Sequence, residues 1–411
     1  MFFKKEPDVV VALEVGTSKV VAAVGELRKD GSLYLLGVGE AKSSGVRKGE
    51  VVDFQTAQQT ISEAVSDAEN KTEVMVGEVF LAVTGSHITS RTVRVKTNTD
   101  DEDHMITPRH VEDLDALAQQ QPIPADHAVI HQLLQHYYID EKTRSTHPIG
   151  LNSHHLEATY QVIHGLENKL ACAVRSVAEL DVDVRGLALA PYASAQAILT
   201  RDQKNQGSVV IDLGAGTTDY VVYLDGAIIH TGVLGVGGDH MTQDISLGLK
   251  LPYQRAEMVK LKHGLLSPKG IHPDEQITLE RDHHYDERSI YTHSLAKIMY
   301  ARQWETLNMV REDLNQLNLW PRLSSGIYFT GGASQVRGLR EVAKELFPVP
   351  VQLVQEFSFE GDLTFSRRPD LSTVLGLLQY AQNYETIHPK KAGFGRVVEL
   401  FQNALSMVGL F

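Results

Sequence analysis

The sequence has 411 residues and a formal net charge of −13, and this length predicts two or more domains, because one hydrophobic core rarely extends over so long a chain. The acidic balance argues against a nucleic-acid-binding protein, which needs a basic face, and no apolar run reaches the ~18 residues of a transmembrane helix. The single cysteine, Cys172, excludes an internal disulfide and is typical of a reducing cytoplasm.

The N-terminal part of the chain has the pattern of a small sheet with one helix. Charged residues and a proline follow the first three residues at once, so we predict no export signal. Strands are predicted in succession over 9–36, with glycines at the turns. Helical spacing over 54–68 and an apolar run over 78–83 predict a helix followed by a strand.

The segment 86–165 differs in composition from the residues around it, because it is rich in His, Asp and Gln. It begins with an alternating strand over 92–95. A helix is predicted from Thr107, with Pro108 in the first turn, where its missing N–H costs no hydrogen bond. We interpret this segment as a subdomain inserted into the first domain.

Helices and strands alternate through the rest of the chain. We predict strands at 183–189 and 327–330. Helices are predicted at 170–179, 191–199, 257–262, 294–317, 337–346 and 372–381. The helix that starts at 257 is expected to end at His263-Gly264. Polar composition predicts a linker over 201–207 and a loop-rich stretch over 268–289.

An apolar strand that leads into an acidic residue and a glycine turn occurs twice. The first copy is 9–20 (VVVALEVGTSKV) and the second is 209–220 (VVIDLGAGTTDY). Each copy runs on into a second apolar strand, so each predicts a β-hairpin. Two copies of one hairpin indicate two related domains that face a shared cleft and hold a triphosphate from both sides. The alternative for either copy alone is an ordinary hairpin with a glycine turn.

The residue types in both hairpin turns are those of a phosphate site. Glycine lets the backbone approach a ligand closely, exposed N–H groups form an anion-binding nest, and hydroxyls and a lysine add donors and charge. The candidate phosphate-binding residues are Gly16, Thr17, Ser18, Lys19, Gly214, Ala215, Gly216, Thr217 and Thr218. Glu14 and Asp212 stand at the strand ends, where they could hold a hydrated Mg²⁺ through water.

Two further glycine runs could contribute to a nucleotide site. Gly331, Gly332 and Ala333 follow a predicted strand, and such small residues let an adenosine lie flat against backbone. A plain strand-to-helix loop is the favoured alternative for this run taken alone. Gly237 and Gly238 precede a helix start near residue 239, whose N-terminus could add to phosphate binding. Neither run fits the dinucleotide-binding fingerprint.

The C-terminal residues form the second informative region. At about 100° per residue, one apolar stripe contains Phe394, Val397, Val398, Phe401, Leu405 and Val408. An amphipathic helix of this kind can pack on its own body, bind a partner groove, or lie in a membrane interface. The nearby positive charge is modest, so membrane affinity would depend mainly on buried apolar area and on several copies acting together.

The hairpin, the second hairpin and the Gly-Gly loop, in this order, resemble the actin-like ATPase superfamily and, within it, the FtsA family of bacterial cell-division proteins. The resemblance covers nearly the whole chain and includes 12–20, 45–53, 80–88 and 147–151. It implies an α/β, actin-like fold with two RNase H-like domains around a nucleotide cleft, an inserted subdomain and a C-terminal amphipathic helix.

The resemblance also implies where the subdomains lie. The first RNase H-like subdomain would cover 1–85, continued at 166–205 and 364–388, and the inserted subdomain would cover 86–165. The second RNase H-like subdomain would cover 206–236 and 322–363, with a small lobe at 237–321. Residues 389–411 would form a linker and a membrane-targeting helix.

The same resemblance implies ATP and Mg²⁺ as ligands, self-assembly into protofilaments, and binding to the ring protein FtsZ through the small lobe. It further implies other division proteins as partners and a place on the inner leaflet of the cytoplasmic membrane at the division site. By motif position it assigns nucleoside contacts to Glu257 and Lys260, a pair that without the family context reads as a surface ion pair. The segment 195–199 resembles the one that holds the water-orienting glutamine of actin, which implies that Gln196 positions the attacking water.

The leading hypothesis is therefore an ATP-dependent membrane adaptor with slow or undetectable ATP hydrolysis. A small-molecule kinase of the same superfamily is the alternative, although no catalytic carboxylate with a specific motif is found for it. A chaperone ATPase is rejected, because only about twenty residues follow residue 388 and a substrate-binding domain needs far more.

Overall fold

The computed structural model describes residues 8–99, 103–281 and 286–387. The strands, in chain order, are β1 Asp8–Val15, β2 Lys19–Leu27, β3 Leu33–Lys42, β4 Val46–Arg47, β5 Glu50–Val51, β6 Glu78–Val83, β7 Thr89–Asn98, β8 His127–Ile139, β9 Thr143–Ser145, β10 His155–Leu166, β11 Asp183–Leu189, β12 Ser208–Leu213, β13 Thr218–Leu224, β14 Ala227–Leu234, β15 Gln276–Leu279, β16 Arg288–Tyr291, β17 Gly326–Thr330, β18 Val351–Leu353 and β19 Glu360–Gly361. The helices are α1 Phe54–Thr72, α2 Pro108–Gln119, α3 Glu167–Ala178, α4 Ala190–Ile198, α5 Arg201–Asn205, α6 Gly238–Leu249, α7 Tyr253–His263, α8 Thr292–Gln316, α9 Leu339–Leu346 and α10 Ser372–Ile387.

Two sheets share one order over five strands, and the first sheet adds β19 at its edge. The first runs β11-β6-β1-β2-β3-β19, and the second runs β18-β17-β12-β13-β14. In each, a three-stranded antiparallel meander continues into parallel strands, because β1 pairs parallel with β6 and β12 pairs parallel with β17. The repeat seen in the sequence is therefore a repeat of sheet topology.

The central strands of both sheets are buried on both faces, which explains their continuous apolar runs. Helices α1 and α3 cover one face of the first sheet, and α10 packs on its other face. The second sheet packs against α6, α7, α8 and α9 in one large hydrophobic core. Helices α4 and α10 pack against each other between the two sheets, and Gly376 of α10 allows close contact, because a Cβ there would lie 1.9 Å from the carbonyl oxygen of Ala193.

The residues between β6 and α3 form a separate sheet, ordered β7-β10-β8-β9, with α2 packed on it around a core of its own. This sheet also touches the second large sheet. The Gln135 side chain donates a hydrogen bond to the carbonyl oxygen of Ile228 at 2.9 Å, and Arg144 forms an ion pair with Asp225 at 2.5 Å. The inserted segment therefore leaves the first sheet and bridges to the second.

Two predicted irregular stretches contain regular structure. The predicted linker 201–207 includes α5, which begins with a capping box between Thr200 and Gln203. The predicted loop region 268–289 contains β15 and the start of β16, an antiparallel pair whose Ile277 and Ile290 enter the core of the second sheet. Both elements are short and mostly polar, so their patterns are weak in the sequence.

The predicted helices and strands elsewhere are confirmed, with differences at their ends. Helix α10 extends to residue 387, six residues past its predicted end, and α7 begins at Tyr253. Gly264 does follow α7, but its φ of −56° is not the left-handed conformation of a glycine C-cap. The predicted amphipathic helix over 394–408 lies outside the described residues. No helix within the described ranges is long and apolar enough to cross a membrane.

Candidate functional site

A cavity of about 610 Å³ lies between the two large sheets, at the turns of the two hairpins. The predicted site residues that line it are Glu14, Gly16, Thr17, Ser18, Lys19, Asp212, Gly214, Ala215, Gly216, Thr217, Gly238, Glu257, Lys260, Gly331, Gly332 and Ala333. Residues from distant parts of the sequence thus meet around one space, which is large enough for a nucleotide.

The two hairpin turns have the same backbone hydrogen bond. The N–H of Gly16 donates to the carbonyl oxygen of Lys19 at 3.0 Å, and the N–H of Gly214 donates to that of Thr217, also at 3.0 Å. The turns approach each other at Gly216, where a Cβ would lie 2.3 Å from Thr17 Oγ1. Only glycine allows this approach, so the second turn is held directly against the first.

Three carboxylates meet below the turns. Glu14 and Asp212 are the second-last residues of β1 and β12, and Asp219 lies opposite Asp212 on β13. Burial, with a contribution from the charge of Asp212, raises the pKa of Glu14 to about 8. Burial likewise raises the pKa of Asp219 to about 7. These acids therefore retain protons near neutral pH unless a cation joins them.

The surroundings of the three acids differ. Asp212 Oδ2 accepts hydrogen bonds from Ser194 at 2.7 Å, Thr373 at 3.2 Å and Ser372 at 3.3 Å, which oppose the pKa rise that burial causes. Within the described part of the chain, Glu14 Oε2 is buried and has no hydrogen-bond partner. An enclosed carboxylate oxygen without a partner fits a site for a hydrated cation, since Mg²⁺ prefers oxygen ligands and keeps several of its waters.

A direct metal cage is not present in the ranges that the structure describes, because no group of three or more His, Cys, Asp or Glu side chains is placed to hold an ion. Glu14, Asp212 and Asp219 could instead act through bound water. Asp219 is fixed for such a role, since its carboxylate accepts from Thr84 Oγ1 at 2.5 Å and from Thr217 Oγ1 at 2.8 Å.

Helices α6 and α7 and the Gly-Gly loop form another part of the cavity wall. Lys260 Nζ lies 2.7 Å from Glu257 Oε2 and donates to the carbonyl oxygen of Gly238 at 3.1 Å. This pair lines the cavity and is not a solvated surface pair. Gly331 has a φ of +88°, and a Cβ there would lie 2.3 Å from Asp212 Oδ1, so this loop can approach the second hairpin only with glycine.

Three predicted site residues do not line the cavity. The hydroxyl of Thr218 is turned into the fold, where it donates to the carbonyl oxygen of Val236 at 2.8 Å. Gly237 packs against the backbone of Ala215. Gln196 was predicted to orient a water, but its amide oxygen accepts from Lys204 at 2.8 Å and its nitrogen contacts Tyr223.

The position of Gln196 follows from helix geometry. Residues two apart on a helix point in different directions, so only one of Ser194 and Gln196 can face the cleft. Ser194 does so and bonds to Asp212. The prediction for Gln196 is therefore wrong in placing its side chain at the reacting phosphate, and Ser194 is the residue of α4 that reaches the site.

Several cavity residues were missed by sequence reasoning. They are Gly49, Thr84, Asp219, Asp239, Arg337, Asp370, Ser372 and Thr373. Asp219 could have been predicted from the sequence, because a tight hairpin around Gly214 places it opposite Asp212. For Asp370 there was none, since it lies 351 residues from Lys19, the side chain that it contacts.

Known proteins resemble this chain in sequence and in structure. A family model described as "Cell division protein FtsA" matches residues 209–376, and one described as "SHS2 domain inserted in FTSA" matches residues 85–164. The cell division protein FtsA of Pseudomonas aeruginosa is 33% identical over 371 residues, which are 90% of this chain and 88% of that protein.

Two solved structures resemble the fold at low sequence identity. The PilM-PilN type IV pilus biogenesis complex matches with a TM-score of 0.61 at 16% identity, covering 91% of this chain and 98% of that one. MreB5 of Spiroplasma citri bound to ADP matches with a TM-score of 0.55 at 16% identity, covering 94% and 100%. These matches confirm an actin-like α/β fold.

Proposed function

This chain belongs to the FtsA family of cell-division proteins, and from that premise we propose that it binds ATP with Mg²⁺, assembles into filaments on the cytoplasmic face of the membrane, and tethers an FtsZ ring there. The observation that carries the proposal is the convergence of both glycine hairpins and the Gly-Gly loop on one cavity. Filament formation and the interaction with FtsZ through the small lobe rest on the family resemblance.

The nucleotide would lie with its phosphates between the two turns. Backbone N–H groups around Gly16 and Gly214 would bind phosphate oxygens, and the hydroxyls of Thr17 and Thr217 lie beside them. The adenosine would lie against Gly331 and Gly332. MreB5, a protein of similar fold, has been solved bound to ADP, which supports an adenine nucleotide as the ligand.

The metal would supply charge that the protein lacks at the phosphates. Glu14, Asp212 and Asp219 would hold it, partly through water, and each must release its proton to do so. Hydrolysis would proceed by in-line attack of water on the γ-phosphate without a covalent step. Since Gln196 is bonded to Lys204 and Tyr223, no residue is assigned as the water-orienting group, and we therefore expect slow turnover.

The membrane role would belong to the C-terminal apolar stripe. Full-length protein with FtsZ is mixed with vesicles of anionic and neutral lipid in ATP and magnesium, and both proteins are expected to pellet with the vesicles. A chain that stops at residue 393 should leave both in the supernatant. Equal pelleting of the two forms would refute the proposal.

A matched pair of variants sharpens this experiment. Phe401→Asp and Gln402→Asp add the same charge to adjacent positions, but only Phe401 belongs to the apolar stripe. We expect Phe401→Asp to lose vesicle binding and Gln402→Asp to retain it, because interfacial binding scales with buried apolar area. Equal losses would mean that added charge alone, and not the stripe, determines binding.

A further inference from the structure

Lys19 of the first hairpin is engaged by two carboxylates. Its Nζ lies 2.5 Å from Asp370 Oδ2 and 3.3 Å from Glu40 Oε2. Asp370 lines the same cavity as Lys19 and belongs to a turn of 3-10 helix, Pro369–Leu371, directly before α10. A phosphate that contacts Lys19 must therefore compete with a fixed negative charge for the same ammonium group.

Arg368 holds both carboxylates in place. Its guanidinium donates to Asp370 at 2.7 and 2.9 Å and to Glu40 at 2.8 and 3.1 Å, a planar fork that fits carboxylate oxygens. Although burial opposes it, hydrogen bonding to Arg368 and Lys19 lowers the pKa of Asp370 to about 2. Asp370 is therefore ionised at every pH at which the protein would be assayed.

The segment around Asp370 contacts three of the elements that line the cavity. The carbonyl oxygen of Pro369 accepts from the N–H of Gly331 and from Thr330 Oγ1, both at 3.1 Å. Ser372 and Thr373 donate to Asp212 of the second hairpin. One short segment thus contacts the first hairpin through Asp370, the second through its hydroxyls, and the Gly-Gly loop through its backbone.

We propose that Asp370 is a positioning residue that holds Lys19 and lowers the affinity of the cleft for ligands that carry phosphate, so that a triphosphate binds by drawing Lys19 away from it. This inference rests on the proposed nucleotide site. It concerns phosphate, because the side chain that Asp370 holds is Lys19 of the first turn, which the proposed site assigns to phosphate.

The test is the affinity of Asp370→Asn for ATP and for adenosine, measured by titration calorimetry in magnesium buffer. We expect ATP to bind about tenfold more tightly than to the natural protein, which is the size of one charge-assisted hydrogen bond. Adenosine should bind with unchanged affinity. Asp370→Glu keeps the charge and should restore the weaker ATP binding.

The control is Glu356→Gln, which removes one negative charge from an exposed side chain outside the cavity. It should bind both ligands as the natural protein does. Unchanged or weaker ATP binding in Asp370→Asn overturns the proposal, and so does an equal change for ATP and adenosine, which indicates a structural role.

If Asp370→Asn does not fold, Glu40→Gln removes the other carboxylate at Lys19 and should also tighten ATP binding and spare adenosine; no change there overturns the proposal. A natural protein that binds neither ligand would refute the nucleotide site itself. If the natural protein binds both ligands and Asp370→Asn binds them with the same affinities, only the role of Asp370 is refuted.

Discussion

The first and second hairpins have the same backbone and different chemistry. Both turns close with a 3.0 Å hydrogen bond of the same kind, and both stand at the same place in sheets of the same strand order. The first turn has a lysine, held by Asp370 and Glu40, whereas the second has no cation and is surrounded by hydroxyls and buried acids. If the proposed function holds, the backbone geometry is repeated because each turn forms an anion nest, and the side chains are divided between phosphate and metal.

The largest expected effect comes from forcing the two turns apart. Gly216→Ala places a methyl group 2.3 Å from Thr17 Oγ1 and 2.9 Å from the backbone of Lys48, and such overpacking costs about 1–3 kcal/mol. We expect ATP affinity to fall roughly 10- to 100-fold by calorimetry.

Two glycines serve as controls for this prediction. Gly214→Ala has its closest contact at 3.1 Å, to the carbonyl oxygen of Thr217 in its own turn, and should lose less affinity. Gly77→Ala has no atom within 4 Å of the new Cβ and should bind as the natural protein does. Equal affinity of Gly216→Ala and Gly77→Ala would show that the contact between the turns does not matter for binding.

The next largest effect is the pH dependence of nucleotide affinity, to which the acids of the two hairpins contribute at different pH values. Since the pKa of Glu14 is raised to about 8 and that of Asp219 to about 7, both must lose protons before a dication binds. Affinity for ATP with Mg²⁺ should therefore rise from pH 6 to pH 9. The slope should be up to roughly a hundredfold per pH unit below pH 7, where two protons are released, and roughly tenfold per unit between pH 7 and pH 8, where one is released.

In Glu14→Gln the rise of ATP affinity with pH should be shallower and should end near pH 7, because Asp219 is then the one of these two acids that still titrates. Proton release, measured by calorimetry in two buffers of different ionisation enthalpy, checks the same point. An affinity that does not change with pH in the natural protein contradicts the assignment of these acids to the metal.

A smaller effect concerns stability in buffer without nucleotide and metal. The pKa of Glu14 is raised from an ordinary 4.5 to about 8 in the folded protein, so the unfolded chain loses this proton first as pH rises. Stability should be highest below pH 4.5 as far as Glu14 is concerned, fall between pH 4.5 and 8, and level off above.

Glu14→Gln removes this loss of stability at high pH. The substitution should raise the melting temperature at pH 8 by about 2–5 °C, and far less at pH 5. Differential scanning calorimetry at both values provides the measurement, with Glu356→Gln as the exposed control. If Glu14→Gln melts at or below the temperature of the natural protein at pH 8, the desolvated acid is not a source of strain.

The smallest expected effects compare neighbours on α4. Gln196→Ala should leave single-turnover ATP hydrolysis within about twofold of the natural rate, because its side chain contacts Tyr223 and Lys204. Ser194→Ala removes a hydrogen bond to Asp212 and should weaken binding of ATP with Mg²⁺ by about threefold to tenfold. A large loss of hydrolysis in Gln196→Ala would restore the water-orienting role.

Local sequence was sufficient for the hairpins and for most helices. Their signals are short-range: apolar strands, a glycine turn, and an acid at the strand end, as at Glu14 and Asp212. Elements with weak patterns were predicted as linker and loop. Helix α5 is short, polar and without buried residues, and begins with a capping box, whereas the β15–β16 pair is stabilised by burial of Ile277 and Ile290. The choice between Ser194 and Gln196 required the direction of α4 against β12.

The sequence by itself determined that two glycine hairpins are followed by a Gly-Gly loop. It thereby located the turns where the backbone can approach a ligand closely, because such an approach requires glycine. Only the tertiary structure decided which side chains meet there. Lys19 and Asp370 are separated by 351 residues, and the charge that a phosphate meets depends on their distance of 2.5 Å. Electrostatic energy depends on separation in space, which the order of residues along the chain does not contain.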